Sequence, residues 1–109
     1  MANTFKLKTK ANVGVTTVGI YTAPAATTTV VIGITLSNTS GSGVNVGVGI
    51  TRAGTTEDVK LLKNAPIPQG SSLEFMGENK VVLETTDTLT VDSDTNNSVD
   101  AALTIMEIT

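Results

Sequence analysis

The sequence predicts an all-β protein: a single antiparallel β-sandwich domain over residues 1–109, with about eight or nine short strands. Threonine and valine are the commonest residues, and both are β-branched and favour extended backbone. Apolar and small polar residues alternate along several segments, as they do in strands with one buried face. No segment has the period of an amphipathic helix. Jelly-roll-like and immunoglobulin-like strand orders both agree with this pattern.

The clearest strands lie in the segments TVVIGITLSN and VNVGVGIT. The first is expected to bury alternate apolar residues, namely Val30, Ile32, Ile34 and Leu36. The second is expected to bury Val44, Val46, Val48 and Ile50 in the same way. The turn-rich sequence NTSGSG between them predicts a hairpin. Seven shorter strands complete the prediction: Thr4–Lys10, Thr16–Thr22, Asp58–Lys63, Leu73–Met76, Lys80–Glu84, Thr88–Asp92 and Val99–Ile108.

The segment NAPIPQG, residues 64–70, interrupts this series of strands. Pro66 and Pro68 cannot donate backbone hydrogen bonds, so residues 65–68 are expected to be extended and unpaired. Gly70 permits a sharp bend, and Ile67 is the apolar residue that could close the end of the core. We therefore predict that the chain crosses here from one sheet to the other.

The composition disfavours several classes of function. The chain has no histidine and no cysteine, which removes the commonest general base, the commonest metal ligand and any cysteine nucleophile. A net charge of −3 disfavours nucleic-acid binding, and no apolar run approaches the roughly 20 residues that cross a bilayer. Aromatic residues make up 3%, too few for a typical sugar-stacking platform. The expectation is a non-enzymatic protein without a cofactor, which binds neither nucleic acid nor membrane.

Charged residues are distributed unevenly along the chain. None of the seven basic and ten acidic residues lies between Ala11 and Thr51. Interface cores are depleted in charge, because burying an unpaired ion is costly. We therefore predict that another subunit covers the outward, neutral residues of this stretch; the alternative is a free sheet kept soluble by hydroxyl and backbone groups. The predicted interface residues are Thr35, Asn45, Gly47, Gly49 and Thr51.

Three lysines near the N-terminus, Lys6, Lys8 and Lys10, alternate with Phe5 and Leu7. A strand with this pattern has lysines on one face and an apolar pair on the other. The favoured interpretation is an edge strand that solvated lysines protect from unwanted pairing. The alternative is a secondary interface role, in which the lysines contact an acidic partner surface.

The acidic segment DSDTNNSVD, residues 92–100, is the candidate for a metal site. Asp92 and Asp94 have the spacing that begins an EF-hand loop, but Asn97 and Leu103 stand where that loop requires glycine and glutamate. An EF-hand is therefore excluded. A calcium site built from Asp92, Asp94 and Asp100 is the remaining metal candidate, and the simpler interpretation is a polar hairpin tip.

Three stretches cover most of the chain: TVGIYTAPAATTTVVIGITLSNTSGSGVNVGVGIT, LLKNAPIPQGSSLEFMGENKVVLETTDTLTV and VDAALTIMEIT. Together they resemble a family of small structural proteins of tailed-phage particles. In that family a Y-T-A/V-P-A turn opens the domain, an apolar strand ends in N-x-S/T, and the patterns L-x-K-x-x-P-I/V-P-x-G-S-S-L-E and K-V-V-L-E-x-x-D follow. The resemblance covers nearly the whole chain from Thr17 onward and brings no catalytic residue.

The resemblance implies a virion structural protein that is assembled in the host bacterial cytoplasm and used in many copies. Its expected partners are the major capsid protein or other virion proteins, and it is expected to form a homo-oligomer, with a trimer favoured. The favoured role is a decoration or cement protein that binds the head through a neutral β face. The alternatives are a tail, neck or fibre-associated virion module and, from another class, a calcium-assisted carbohydrate-binding sandwich.

Overall fold

The computed structural model describes residues 2–54, 57–75 and 80–109, which form nine β-strands in two antiparallel sheets. The predicted all-β sandwich is therefore confirmed. Within these ranges there is no helix long and apolar enough to cross a membrane. The strands are β1 (Asn3–Val13), β2 (Val18–Thr22), β3 (Thr28–Asn38), β4 (Val44–Arg52), β5 (Glu57–Ile67), β6 (Ser72–Phe75), β7 (Val81–Leu83), β8 (Asp87–Ser93) and β9 (Val99–Ile108).

The strand order is that of a jelly roll. Sheet A has the order β1-β9-β3, and both β6 and β7 pair with the far edge of β3. Sheet B has the order β2-β8-β4-β5. Pairing is nested, since β1 pairs with β9, β2 with β8, β3 with β6 and β7, and β4 with β5. A long antiparallel hairpin that is rolled up into two sheets has this pairing. Of the two strand orders that agreed with the sequence, the structure therefore has the jelly-roll order and not the immunoglobulin-like order.

Two turns that were predicted to close hairpins cross between the sheets instead. The NTSGSG turn joins β3 in sheet A to β4 in sheet B, and the turn at residues 94–98 joins β8 in sheet B to β9 in sheet A. Turn residues reverse the chain in either case and do not specify which strand is paired next. The strand predicted at Leu73–Met76 ends at a residue outside the described ranges.

The hydrophobic core lies between the two sheets and is built from alternate residues of their central strands. The β4 prediction is confirmed, because its four alternate apolar side chains are all buried. From sheet A, β9 contributes a second alternating set to the same core. The members of these two sets are Val44, Val46, Val48 and Ile50 of β4 and Val99, Ala101, Leu103 and Ile105 of β9.

A β-bulge in β3 makes half of the predicted burial pattern wrong. Ile34 and Leu36 are buried as predicted, but Val30 and Ile32 are only half-buried, and Val31 is buried in their place. The register against β9 shifts between Val31 and Gly33, so Ile32 is an extra residue in β3. One extra residue reverses the alternation, which turns Val30 to the outer face of sheet A.

The NAPIPQG segment is paired over its first half, contrary to the prediction. Ala65, Pro66 and Ile67 continue β5 and pair with β4. This is possible because β5 is the edge strand of sheet B, where a sheet tolerates proline, and because a register shift near Asn64 (φ 55°) precedes it. The predicted crossing to sheet A follows at once, with Gly70 at φ 73°, and Ile67 is buried in the core as predicted.

Asn38, at the end of β3, links the two segments that cross between the sheets, the β3–β4 turn and the end of β5. Its buried amide Nδ2 donates hydrogen bonds to the carbonyl oxygens of Ser42 at 2.8 Å and Ile67 at 3.0 Å. Its Oδ1 accepts hydrogen bonds from the backbone N and the Oγ of Ser40 at 2.9 and 2.8 Å. One side chain thus shapes the β3–β4 turn and holds the end of β5 against it.

Asn38→Ala is expected to lower the free energy of unfolding by about 2–3 kcal/mol, because the buried carbonyl of Ile67 loses a donor and the turn loses its acceptor. Urea denaturation followed by circular dichroism measures the change. Ser37→Ala, on the outer side of the same strand, is the control and should change the value by less than about 0.5 kcal/mol. Equal effects of the two substitutions would show that the Asn38 network does not stabilise the fold.

Candidate interaction surfaces

The five predicted interface residues lie on the two opposite outer faces of the sandwich. Thr35 lies on the outer face of sheet A, whereas Asn45, Gly47, Gly49 and Thr51 alternate with the buried residues of β4 and lie on the outer face of sheet B. The charge-free stretch is divided because β3 belongs to sheet A while β2 and β4 belong to sheet B. The structure therefore does not gather these residues on one neutral face, and the interface role of each stays a prediction.

Charged side chains of neighbouring strands cover the β4 part of the outer face of sheet B. Asp92 of β8 pairs with Gly47, and a Cβ atom at Gly47 would lie 2.5 Å from the Asp92 Oδ1. The Asp92 carboxylate accepts a hydrogen bond from Thr17 Oγ1 at 2.9 Å and lies 3.7 Å from Lys60 Nζ. Gly47 thus leaves room for an ionic cluster of this same chain.

Gly49 is also small for a reason within the chain. A Cβ atom there would lie 2.8 Å from the carbonyl oxygen of Val59 in β5, close to one of the register shifts between β4 and β5. Real Cβ atoms essentially never approach a neighbour so closely. Close packing within sheet B therefore explains why both positions are glycine. Although β4 is uncharged as far as Thr51, the outer face of sheet B around it is not.

A row of apolar side chains crosses four strands on the outer face of sheet A. Phe5 pairs with Met106, Met106 with Val30, and Val30 with Val82. Phe5 is 68% exposed and Val82 53% exposed, and the other two are half-buried. Leu7, the next outward residue of β1, is 65% exposed. Contiguous exposed apolar side chains mark surfaces that other molecules cover, whereas isolated ones do not.

Nine outward positions at the centre of sheet A carry no charge. They comprise three outward positions that are in register on each of β1, β9 and β3, and we call them the central block; the bulge residue Ile32 lies beside them. The charged side chains of Asp100 and Glu74 lie at its border. The central block consists of Phe5, Leu7 and Thr9 of β1, Met106, Thr104 and Ala102 of β9, and Val30, Gly33 and Thr35 of β3.

The central block has a ridge at one end and a hollow at the other. The ridge is the bulky row Phe5, Met106 and Val30. The hollow surrounds the small row Thr9, Ala102 and Thr35, where two depressions of about 260 and 450 Å³ meet at Thr35 and Ala102. Lys10 and Asp100 also line the first depression, and Glu74 lines the second. The row between them consists of Leu7, Thr104 and Gly33.

The sequence of β9 contains an indication that the outer face of sheet A is an interaction surface, although none was predicted there from the sequence. Both alternating sets of this strand are apolar, because Ala102, Met106 and Ile108 accompany the core-facing set. A strand that is apolar on both faces is typical of burial on both faces. Thr104 and Asp100 interrupt the outer set, and this weakens the pattern in the printed sequence.

The three N-terminal lysines point to the opposite side of β1 from Phe5 and Leu7. Lys6, Lys8 and Lys10 pair across β9 with core-facing residues, and partners across a sheet share a face. Lys6 and Lys10 nevertheless stay exposed, because β1 is the edge strand of sheet A. The prediction that these lysines lie on an edge strand is confirmed, and their contact with an acidic partner stays a prediction.

Lys6 belongs to a polar network that links the two sheets. Its Nζ lies 2.8 Å from Oε1 of Glu107, a buried carboxylate of β9. Tyr21 of β2 donates its hydroxyl hydrogen to Glu107 Oε2 at 2.6 Å, and this hydroxyl also lies 2.7 Å from Thr29 Oγ1. Every member of the network is thus hydrogen-bonded or ion-paired, as a buried charge requires.

These contacts shift two pKa values in opposite directions. The hydrogen bonds from Lys6 and Tyr21 hold the pKa of Glu107 below its ordinary value, against the effect of burial. Burial, together with the hydrogen bond to the Glu107 carboxylate, raises the pKa of Tyr21 to about 12. The network therefore combines a carboxylate that stays ionised with a phenol that stays protonated at neutral pH.

The three aspartates of the calcium candidate are engaged in separate contacts. Asp92 lies in the cluster with Lys60, Asp94 Oδ1 accepts a hydrogen bond from the backbone N of Asn45 at 3.1 Å, and Asp100 Oδ1 accepts one from the backbone N of Asn12 at 3.0 Å. Across the described part of the chain, no group of three acidic side chains is placed to hold a metal ion. The structure does not bring the candidate ligands together.

The fold is shared with subunits of large protein assemblies. No known protein family matches this chain by sequence. No curated protein matches it either. A chain of the pili that form Bacillus endospore appendages is similar, with a TM-score of 0.57, 15% sequence identity, and coverage of 99% of this chain and 87% of that chain.

Two viral particles contain chains of similar fold. One is in the acid-stable capsid of Helicobacter pylori bacteriophage KHP30, with a TM-score of 0.59, 10% identity, and coverage of 98% of this chain and 87% of that chain. The other is in the T13 particle of IBDV, with a TM-score of 0.57, 14% identity, and coverage of 96% of this chain and 30% of that chain. At these identities the likeness shows a common fold.

The stability of the protein is expected to fall with acid through Glu107. Because the folded pKa of Glu107 is lowered, its contribution is complete above the unfolded glutamate pKa of about 4.3 and is lost as the pH falls through the lower folded value. Glu107→Gln should be less stable than the wild type at pH 7, and the difference should shrink below about pH 4.3. Denaturant titrations from pH 7 to pH 3 measure it, with Glu74→Gln on the outer face as the control. A difference that does not vary with pH would contradict the role of the Glu107 charge.

Gly47→Ala is expected to destabilise the fold by about 1 kcal/mol, because its Cβ displaces the Asp92 carboxylate. In an Asp92→Ala background roughly half of that cost should disappear, since the displaced group is gone. Gly49→Ala is the matched control: its obstacle is the Val59 backbone carbonyl, so its cost should persist in the same background. Identical costs of Gly47→Ala in both backgrounds would show that Asp92 is not the constraint.

Proposed function

We propose that this chain is a non-enzymatic structural protein of a bacteriophage particle, and specifically a decoration or cement protein on the outside of the head. In the assembled particle another polypeptide covers the central block of sheet A. The major capsid protein, other virion proteins and further copies of this chain are the candidate partners. Each contact is weak, and many symmetric contacts across the shell hold the protein in place.

The observation that carries this proposal is the exposed, uncharged central block. None of its nine positions carries a charge, and burying an unpaired charge is costly. Phe5 and Leu7 are each about two-thirds exposed, so covering them removes apolar surface from water. The charged border formed by Asp100 and Glu74 matches the usual arrangement of an interface, with an uncharged centre and a polar rim.

The fold and the sequence resemblance support the same proposal from separate directions. A jelly roll of this kind occurs in chains of a phage capsid, a viral particle and a bacterial pilus, which are all assemblies of repeated subunits. The resemblance to small tailed-phage proteins adds the phage particle as the setting and the host bacterial cytoplasm as the place of assembly.

The number of copies per particle tests this function. Purified particles from a host that carries the gene should contain the chain, and quantitative mass spectrometry against the major capsid protein should give hundreds of copies. About six to eighteen copies would place the chain in the tail, neck or fibres and overturn the decoration role. Absence of the chain from the particles would overturn the virion proposal as a whole.

Two matched threonine substitutions test the surface. Thr35→Arg places a charge in the hollow of sheet A and should reduce the occupancy of particles at least about tenfold, whereas Thr51→Arg on the outer face of sheet B should leave it unchanged. Circular dichroism and thermal melting confirm that both variants fold. Loss of occupancy with Thr51→Arg alone would assign the interface to sheet B.

A further inference from the structure

We propose that the central block of sheet A binds a second copy of this chain around a two-fold axis, with the ridge of each copy in the hollow of the other. The inference rests on the proposed function, because it names the polypeptide that covers the same surface. Its basis is that one face carries both halves of a complementary relief. A different partner would have to supply the matching relief itself.

The positions of ridge and hollow select one two-fold axis. This axis lies in the plane of the face, runs perpendicular to the strands and passes through the row of Leu7, Thr104 and Gly33. Rotation about it places β9 of one copy over β9 of the other, with the two strands antiparallel. The ridge then lies over the partner's hollow, and this contact occurs twice. In this row Gly33 and Thr104 are small, and the exposed Leu7 would meet its own copy at the axis. Such a dimer would be an isologous pair of sheets in the aligned packing common to β-sandwiches.

The position of Asp100 favours this axis over the other two-fold axis that lies in the plane of the face. An axis along β9 would place ridge on ridge and would set Asp100 against its own copy. The perpendicular axis instead sets Asp100 against the opposite end of the face, where Asn3, Ile108 and Thr28 carry no charge. Like charges facing each other across an interface cost free energy, so Asp100 opposes the axis along β9 and does not oppose the perpendicular axis.

The size of the face fits a weak, specific dimer. Together with its border, which includes Asp100 and Glu74, the face spans four strand positions about 4.8 Å apart and about nine residues of about 3.3 Å each. It measures about 19 by 30 Å, and the central block is its middle part. Each copy would bury about 600 Å², or about 1,200 Å² in total, at the lower limit of specific interfaces. We therefore expect a dissociation constant in the micromolar range, which the local concentration on a particle surface would exceed.

Sedimentation velocity of the purified chain from about 1 to about 200 µM should show a reversible monomer–dimer equilibrium. Thr35→Arg should raise the dissociation constant at least about tenfold, and Thr51→Arg should leave it unchanged. A monomer throughout this range would overturn the inference. So would a trimer, the assembly favoured from sequence, or a dimer that is indifferent to Thr35→Arg.

Cross-linking tests the axis itself, since the chain contains no cysteine. Thr104→Cys lies on the axis, so the two substituted positions would be within about 10 Å and a short bismaleimide should link them. Thr28→Cys is on the same face, in register with Ile108 and about 13 Å from the axis, which separates its two copies by more than about 25 Å, and it should not be linked to itself. Equal linking of both variants, or none of Thr104→Cys, would overturn the geometry.

The outcomes separate this inference from the proposed function. A chain that dimerises as described but is missing from purified particles would overturn the virion role and leave the dimer. A chain that is present in hundreds of copies on particles but monomeric in solution, with no link through Thr104→Cys on the particle surface, would overturn the dimer and leave the virion role.

Discussion

The two-sided alternation of β9 is the constraint on which the rest of the structure depends. This strand lies between β1 and β3, so its pairing fixes the register of both. Its inward residues, including Leu103 and Ile105, are fully buried and form the sheet A side of the core. Its outward residues, including Ala102 and Met106, form the middle column of the exposed face. Because a one-residue slip would exchange the two sets, the burial of Leu103 and Ile105 also decides which residues face outward.

Alternation and turn residues in the sequence predict nine strands in an antiparallel sandwich, and the structure confirms them. They do not predict which strands pair, because the turns at NTSGSG and at residues 94–98 have the chemistry of hairpins and yet cross between sheets. The extra residue in β3 has no turn residue to signal it, and it moved Val30 from the predicted core to the outer surface. Pro66 was expected to interrupt strand pairing, but the interruption comes only after Ile67. An edge strand pairs on one side only, so it can contain proline and still pair with its single neighbouring strand.

A neutral segment of sequence and a neutral surface of structure are different things. The charge-free stretch supplies strands to both sheets, and the strands beside them come from the charged half of the chain. On sheet B this brings Asp92 and Lys60 over the glycines of β4, whose small size then serves packing within the chain. On sheet A, β3 pairs with β9, and β9 pairs with β1. The charged residues of β9 and β1 point inward or lie at the border, so the central block stays neutral. The pairing partners, which the printed sequence does not reveal, decide the difference.

The Lys6–Glu107 pair gives the exposed apolar face a structural cause. β1 is an edge strand, so few contacts determine which of its two faces points inward, and burial alone would favour Phe5 and Leu7 on the inner side. Glu107 is buried on that inner side, where Tyr21 also donates to it, and an unpaired carboxylate there would be strongly destabilising. Pairing with Lys6 meets this requirement and, through the alternation of the strand, turns Phe5 and Leu7 outward. The interior charge thus selects the register that exposes apolar side chains, and exposure of this kind is favourable to a protein whose outer face is covered in its assembled state.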